Sequence, residues 1–385
     1  MILPGATLGM LGGGQLGRMF VVAARTMGYH VIVLDPDPNS PAGQIADEHL
    51  HAAYNDEWAL QQLAKSCDAI TTEFENVPSA TLRTLEPLCP VRPAAYAVEL
   101  TQDRIREKTF LRDAGLPTAP FHTILSTEDI ATAFNDLEAP VVLKRAAFGY
   151  DGKGQAICHT VEEVTKAFLS MGEVACVLEK KIELAIELSV VLARSVDGTT
   201  TPYPVAENIH DNGILDVTLV PARIDDNLQT RAYAMAEQIS TELEYCGIMA
   251  VEFFVTHDDE IMVNEIAPRP HNSGHYTLDA CISSQFEQQV RMMCGLAAAE
   301  TRLLTPVVMV NLLGETWGDD QPEWQQLLQH ANVKLHLYGK QEARPGRKMG
   351  HFTVLHQDLT QAKILAEQLK QRLQSPLNSD KPTFD

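Results

Sequence analysis

The chain has 385 residues, more than one ordinary core holds and enough for two or three domains. Apolar residues make up 45% and charged residues 21%, a globular balance that argues against disorder. Lys and Arg number 30 against 51 Asp and Glu, and the resulting formal charge of −21 disfavours nucleic-acid and anionic-membrane partners.

In chain order, ATLGML (6–11) reads as a buried strand, and Gln15 to Met27 as a helix ending at Gly28. HVIVLD (30–35) reads as a second strand, 56–66 as an amphipathic helix and AITTEF (69–74) as a third strand. Alternating helices and continuously apolar strands predict a doubly wound parallel sheet. PLCPVRP (87–93) closes that unit, and Thr101 is the expected N-cap of a helix that Gly115 and Pro117 stop. From residue 139 the texture becomes α+β, with strands joined by hairpin turns and helices at 161–170 and 228–245. A last unit starts near Thr305, with strands around 307–313, 333–338 and 349–355 and a helix at 360–374; the tail after Pro376 is polar and expected to fray. The seven scattered Cys contain no C-x-x-C pair, which fits reduced thiols. The first cation is Arg18 and no apolar run approaches ~18 residues, so a cytoplasmic protein without signal or membrane span is expected.

Six clusters carry chemistry. Gly12, Gly14 and Gly17 form G-x-G-x-x-G between the first strand and helix, with Asp35 ending the second strand; this is a dinucleotide fingerprint, yet the same amides suit any phosphate-bearing ligand. Thr72, Glu73 and Glu75 stand at the carboxyl end of the third strand, where open α/β sheets bind ligands. A second loop, Gly149, Gly152 and Gly154, lies between β-like segments with Lys144, Arg145 and Lys153 beside it, as in a hairpin lid over nucleotide phosphates. VEFFV (251–255) and IMVNEI (261–266) flank a polar turn. If 257–260 is a four-residue loop, Thr256 faces Ile261 and Glu252 faces Glu265, ~5 Å apart. Like charges so placed call for a bridging cation, and oxygen ligands favour Mg²⁺ or Mn²⁺; one protonated carboxyl of a buried dyad is the alternative. Arg269, His271, Asn272 and His275 follow directly, Arg suited to a bidentate oxyanion and His to proton transfer. Lys340, Arg344, Arg347 and Lys348 form a cationic cluster in an otherwise acidic chain.

GGGQLGRM (12–19), TTEFENVP (71–78), FGYDGKGQ (148–155), VNEIAPRPHNSGH (263–275) and YGK…RPGRKMGHF (338–352) together resemble the ATP-grasp superfamily. Within it they resemble the N5-carboxyaminoimidazole ribonucleotide synthetase family over almost the whole chain. The resemblance implies an ATP-grasp fold, α/β and α+β, with an N-terminal doubly wound substrate domain (1–100). A small subdomain with the glycine lid (101–190), a metal and nucleotide subdomain (191–304) and a small C-terminal α+β unit (305–385) follow. It implies a ligase that uses ATP, Mg²⁺ and bicarbonate to carboxylate 5-aminoimidazole ribonucleotide through carboxyphosphate in purine biosynthesis, as a homodimer.

By the same resemblance Arg104 and Lys144 contact ATP phosphates, and Gly149, Tyr150, Asp151, Gly152, Lys153, Gly154 and Gln155 form the lid. Glu179, Lys180, Lys181 and Ile182 form the adenine hinge, Glu187 holds the ribose, and His210 and Asn264 lie beside the nucleotide. Glu252 and Glu265 hold the metal. Gly14, Gln15, Leu16, Glu73, Tyr150, Arg269, His271, Asn272, Lys340 and Arg347 line the ribonucleotide and bicarbonate site. Asp151, Arg269, His271 and Lys340 are the implied catalytic set, Asp151 receiving the amine proton. Ala267 stands where many superfamily members carry Asn, which removes one metal ligand. Competing readings are another ATP-grasp carboxylate–amine ligase, an NAD-dependent oxidoreductase built on the first glycine loop, and a non-catalytic nucleotide sensor.

Overall fold

The computed structural model describes residues 1–147, 154–318 and 321–374. The expected lid residues Gly149, Tyr150, Asp151, Gly152 and Lys153, and the tail after Pro376, lie outside the described residues.

The first unit runs β1 (Thr7–Leu11), α1 (Gln15–Thr26), β2 (His30–Leu34), β3 (Glu48–Leu50), α2 (Glu57–Ser66), β4 (Ala69–Thr72), α3 (Ser79–Leu85) and α4 (Ala95–Thr101). Its four strands are parallel in the order β3-β2-β1-β4. Helix α1 buries Leu16, Phe20, Val21 and Ala24 on one face, while Leu60, Leu63 and Leu82 of α2 and α3 pack on the other. Two covered faces explain why the strands read as continuously apolar rather than alternating. Asp103, rather than Thr101, caps the next helix, α5 (Arg104–Asp113): its carboxylate accepts from the amides of Ile105 (2.8 Å) and Arg106 (3.2 Å). Thr101 instead ends α4, its hydroxyl turned back on the carbonyls of Ala97 and Val98.

A small sheet follows, built from β5 (Phe121–Ile124), α6 (Thr127–Leu137), β6 (Val141–Arg145), β7 (Gln155–Cys158), α7 (Val161–Ser170) and β8 (Cys176–Lys180). The strand order is β5-β8-β6-β7, antiparallel throughout, with Ile130, Leu143 and Phe168 among the side chains sealed beneath α6 and α7.

The remaining elements are β9 (Ile186–Arg194), β10 (Thr200–Pro202), β11 (Ala206–Asp211), β12 (Ile214–Val220), α8 (Asp226–Glu242), β13 (Gly247–Val255), β14 (Ile261–Ala267), α9 (Thr277–Ala280), α10 (Gln285–Met293), β15 (Val307–Leu313), α11 (Gln325–Leu328), β16 (Val333–Leu337), β17 (Lys348–Leu355) and α12 (Leu359–Gln374). Helix α8 starts two residues before the expected 228 because Asp225 caps it through the Leu228 amide at 2.7 Å. The nine strands form one sheet, β14-β13-β9-β11-β12-β15-β17-β16, with β10 beside β9. The C-terminal strands thus continue the same ladder through the β12–β15 pairing. Helix α10 packs Phe286, Val290 and Met293 against the first unit, beside α1.

Candidate active site

The units meet at a cleft of about 840 Å³. The first unit contributes Gln15, Leu16 and Glu73, the small sheet and α5 contribute Arg104, Lys144 and Gln155, and the large sheet contributes Glu187, His210, Glu252, Asn264 and Glu265. Arg269, His271, Asn272, Lys340 and Arg347 close the lining. Gly14, Gly154 and the segment Glu179–Ile182 stand outside that lining.

Glu252 and Glu265 are directly paired across β13 and β14, but not by the expected loop. Val255, not Thr256, pairs with Ile261, so the loop holds five residues. A bulge at Asn264 then shifts the register by one and restores the Glu252–Glu265 pairing. Each carboxylate has its own partner: His271 Nε2 lies 3.0 Å from Glu252 Oε1, and Arg104 Nη1 donates to Glu265 Oε2 at 3.1 Å. Burial works to raise the Glu252 carboxyl, but the imidazoles of His271 and His210 hold it well below the usual range. Two facing carboxylates are hard oxygen donors that fit Mg²⁺. Ala267 lines the cleft without a donor atom.

The N-terminal glycine loop is already occupied by protein carboxylates. Glu73 accepts from the amides of Gly14 (2.6 Å) and Gly17 (2.7 Å), and Asp35 accepts from Gly13 (2.7 Å) and from the Tyr54 hydroxyl (2.7 Å). Gly12 has φ +104°, and a Cβ there would stand 2.3 Å from Glu73 Cγ. The fingerprint glycines therefore serve close packing, Asp35 is turned inward rather than toward a ribose, and the Gly14 amide is not offered to a ligand. Gln15 and Leu16 keep first-turn amides without acceptors among the described residues, aimed from a helix N-terminus. Burial raises the Glu73 carboxyl to about 7, against the amides of Gly17 and Gly14. Its unfolded value is ~4.3, so the native state holds the extra proton between those values and stability falls as pH rises through that window. Wild type is expected to lose stability relative to Glu73→Gln between about pH 5 and 7; urea unfolding across that range checks it, and parallel pH profiles would refute it.

Lys144 Nζ donates to Glu179 Oε2 at 2.9 Å, and Lys108 Nζ lies 3.4 Å from Glu179 Oε1. Burial opposes the Glu179 charge, but Lys144 and Lys108 hold its carboxyl low. The Glu179 side chain therefore orients Lys144 toward the cleft. The Lys180 and Lys181 amides donate to the carbonyls of Pro120 (2.9 Å) and Pro140 (3.0 Å), whereas the Ile182 amide has no acceptor among the described residues. His210 Nδ1 lies 3.0 Å from Glu187 Oε2. Burial lowers the His210 imidazole, but the Glu187 carboxylate raises it overall.

Arg269 does not present the open fork expected of it. Its Nε donates to Glu75 Oε2, its Nη2 donates to Glu75 Oε1 at 2.9 Å, and Nη1 caps the Pro270 carbonyl at 3.1 Å. Burial works against both charges; each nevertheless fixes the other, the Glu75 carboxyl falling to about 2. Glu75 was legible only as one acid of a loop, because its partner lies 194 residues away. Both Asn272 side-chain polar atoms are buried without a partner among the described residues, which marks the amide as available to a ligand.

Three family models cover the chain in series. They are the ribonucleotide synthetase preATP-grasp domain at residues 5–102, the ATP-grasp domain at 109–286 and the phosphoribosylaminoimidazole carboxylase C-terminal domain at 307–364. The N5-carboxyaminoimidazole ribonucleotide synthase of Bacillus subtilis (strain 168) is 44% identical over 359 residues, 93% of each protein. The chain belongs to the N5-carboxyaminoimidazole ribonucleotide synthase family. The synthase of Brucella melitensis biotype 1 is 42% identical over 91% of this chain and 96% of its own length. Among solved structures, an ADP complex of an N5-carboxyaminoimidazole ribonucleotide synthetase superimposes with TM-score 0.91 at 45% identity, covering 96% of this chain and 97% of the other. The Aspergillus clavatus enzyme in complex with ADP and 5-aminoimidazole ribonucleotide gives 0.88 at 31% identity, covering 96% and 98%. Membership in this synthase family makes the protein an ATP-dependent ligase with the ATP-grasp fold, and excludes the oxidoreductase reading of the glycine loop. No helix among the described residues is long and apolar enough to cross a membrane.

The C-terminal cations are held by their own loop. Lys340 Nζ donates to the Lys348 carbonyl at 2.7 Å, and Arg347 Nη1 to the Glu342 carbonyl at 2.9 Å. Gly314, at the end of β15, receives that loop so closely that a Cβ would lie 2.0 Å from the Arg344 carbonyl oxygen.

Proposed function

We propose that this chain carboxylates the amine of 5-aminoimidazole ribonucleotide, consuming ATP and bicarbonate, as a step of purine biosynthesis. The observation that carries the reading is the Glu252–Glu265 pair, one glutamate held by His271 and the other by Arg104, at the junction of the glycine loop, the Lys144 hairpin and the C-terminal cations. Mg²⁺ held by Glu252 and Glu265 would supply neutralisation of the transferring phosphoryl charge.

Arg104 and Lys144 face the phosphates, while Glu187, His210, Asn264 and the free Ile182 amide meet the nucleoside. A bicarbonate oxygen attacks the γ-phosphorus and the bond to ADP breaks, giving carboxyphosphate. The amine nitrogen then bonds to the carboxyl carbon as phosphate leaves, and the amine proton passes to Asp151. His271 and Asn272 orient the bicarbonate. Arg269, locked on Glu75, keeps cationic charge beside it rather than gripping it. The Gln15 and Leu16 amides, Lys340 and Arg347 hold the phosphate end of the ribonucleotide, with Glu73 beside it, and the family resemblance assigns Tyr150 to the same substrate. We further propose that the active species is a homodimer, measurable by sedimentation.

The test is release of ADP and formation of carboxylated product with ATP, Mg²⁺, bicarbonate and 5-aminoimidazole ribonucleotide, each omitted in turn. Product that requires all four is expected; stimulation by formate in place of bicarbonate would overturn the substrate assignment. Gly314→Ala should displace the Lys340–Arg347 loop at a cost of ~1–3 kcal/mol. Calorimetric titration should then show weakened ribonucleotide binding with ATP binding retained; equal loss of both would refute a loop confined to the ribonucleotide.

A further inference from the structure

His271 and Asn272 hang from one backbone turn, and a buried glutamine grips that turn. His271 is extended (φ −123°, ψ 154°), so its N–H and C=O face the same side, as they would toward a neighbouring strand. The primary amide of Gln285, the first residue of α10, takes the place of that strand. Its Oε1 accepts from the His271 amide at 2.9 Å, and its Nε2 donates to the His271 carbonyl at 2.8 Å. Nε2 also lies 3.2 Å from His275 Nδ1. A backbone N–H only donates and a carbonyl only accepts, so the orientation of the Gln285 amide is fixed. Gln285 is fully buried, and the His271 amide has no other acceptor among the described residues.

The fit is tight. A Cβ on Gly274 would stand 2.5 Å from Gln285 Oε1. Thr277 Oγ1 accepts from the Gln285 backbone amide at 3.0 Å while donating to the Gly274 carbonyl at 2.6 Å. The same helix also holds the opposite side of the cleft. Four residues on, the buried Gln289 donates from Nε2 to Thr71 Oγ1 (3.1 Å) and to the Thr72 carbonyl (3.4 Å), at the end of β4 next to Glu73. One helix therefore spaces the His271–Asn272 turn from the ribonucleotide side. Gln288 makes the same double clamp elsewhere. Fully buried, it donates to the Ala299 carbonyl at 2.7 Å and accepts from the Ala299 amide at 3.0 Å, outside the cleft lining.

We propose that Gln285 is a positioning residue that sets the distance between the activated carboxyl group and the amine by holding His271 and Asn272 in place. The proposal rests on the reading of those two side chains as orienting bicarbonate. With the clamp removed, carboxyphosphate still forms, because Arg104 and Lys144 do not lean on α10. Its carboxyl carbon then sits out of reach of the amine nitrogen, and water attacks instead. The water oxygen bonds to the carboxyl carbon as phosphate leaves; one water proton stays on the bicarbonate and the other passes to the phosphate. ADP accumulates without product.

The test uses the full-length chain with ATP, Mg²⁺, bicarbonate and 5-aminoimidazole ribonucleotide, and reads product formed per ADP released. Gln285→Met and Gln288→Met each replace a buried double clamp by an apolar side chain of similar length, so their urea midpoints should fall alike. Gln285→Met is expected to lower product formation by up to about 10²-fold, the scale of a ~1 Å misplacement at a reacting centre. ADP release and the ATP KM should change far less. Gln288→Met should keep the wild-type ratio of product to ADP. A wild-type ratio in Gln285→Met, or the same fall in Gln288→Met, overturns the proposal and makes the clamp ordinary packing. If Gln285→Met does not fold, Gly274→Ala decides. Its methyl group pushes the Gln285 amide aside without deleting a polar group, and an unchanged ratio there overturns the proposal equally. Wild type that forms no product overturns the functional reading and this proposal together, whereas a coupled wild type with a coupled Gln285→Met overturns the proposal alone.

Discussion

Glu265→Gln is expected to cut the chemical step by about 10²–10³-fold, the scale of losing one preorganised electrostatic contact to the transferring group, while the fold stays intact. The substitution removes charge with almost no change in volume, and glutamine can still accept from Arg104 Nη1, now 3.1 Å from Glu265 Oε2. What it cannot do is complete the pair of anionic oxygens opposite Glu252. ADP release titrated with Mg²⁺ is the measurement, with circular dichroism as the check on folding. An unaltered rate and unaltered Mg²⁺ requirement would remove this hairpin from the metal assignment.

Arg269→Ala is expected to damage both stability and activity, because the part-buried Glu75 would be left without its bidentate partner. Breaking one side of a fully buried ion pair typically costs ~3–5 kcal/mol, an upper bound for this part-buried one, and the pair also ties the first unit to the bend that follows β14. The pH dependence has a definite sign. The Glu75 carboxyl is lowered to about 2 in the native state, against ~4.3 when unfolded. Its stabilisation is complete above the unfolded value and disappears as pH falls toward 2. Urea midpoints should therefore separate wild type from Arg269→Ala widely at pH 7 and converge in acid. Arg269→Lys should recover only part of the loss, since an ammonium cannot reproduce two parallel N–H donors. A constant gap at every pH would mean that packing, not the charge pair, is what Arg269 supplies.

Much of the fold was legible because local pattern and tertiary role agree. β1, α1 and β2 followed from apolar runs interrupted by glycine, and the C-terminal strands at 307–313 and 349–355 from the same reasoning. β3 escaped because Glu48–Leu50 has three residues and no apolar alternation; only its pairing with β2 makes it a strand. Asp103 was overlooked as a cap because Thr101 satisfies the same residue preference two positions earlier. The glutamate pair was found through an assumed loop whose length was wrong by one, an error that the Asn264 bulge cancels. Site residues on one hairpin were readable, since spacing alone brings them together. The partners of Glu73, Glu75 and Asp35 were not, because their contacts depend on how distant segments fold against one another. For the same reason Arg269 looked like a free oxyanion clamp, and the Gly14 amide a free donor.

The continuity of the large sheet across residue 305 bears on how the chain tolerates being cut. Truncation before β15 would strip the partner from Val217–Val220 of β12, where Leu219 and Val220 are fully buried. A bare, flat and apolar strand edge templates association with other chains. The shortened protein should therefore precipitate or pair edge to edge rather than persist as a soluble ATP-binding core, even though the segments removed lie far along the chain from the glutamate hairpin.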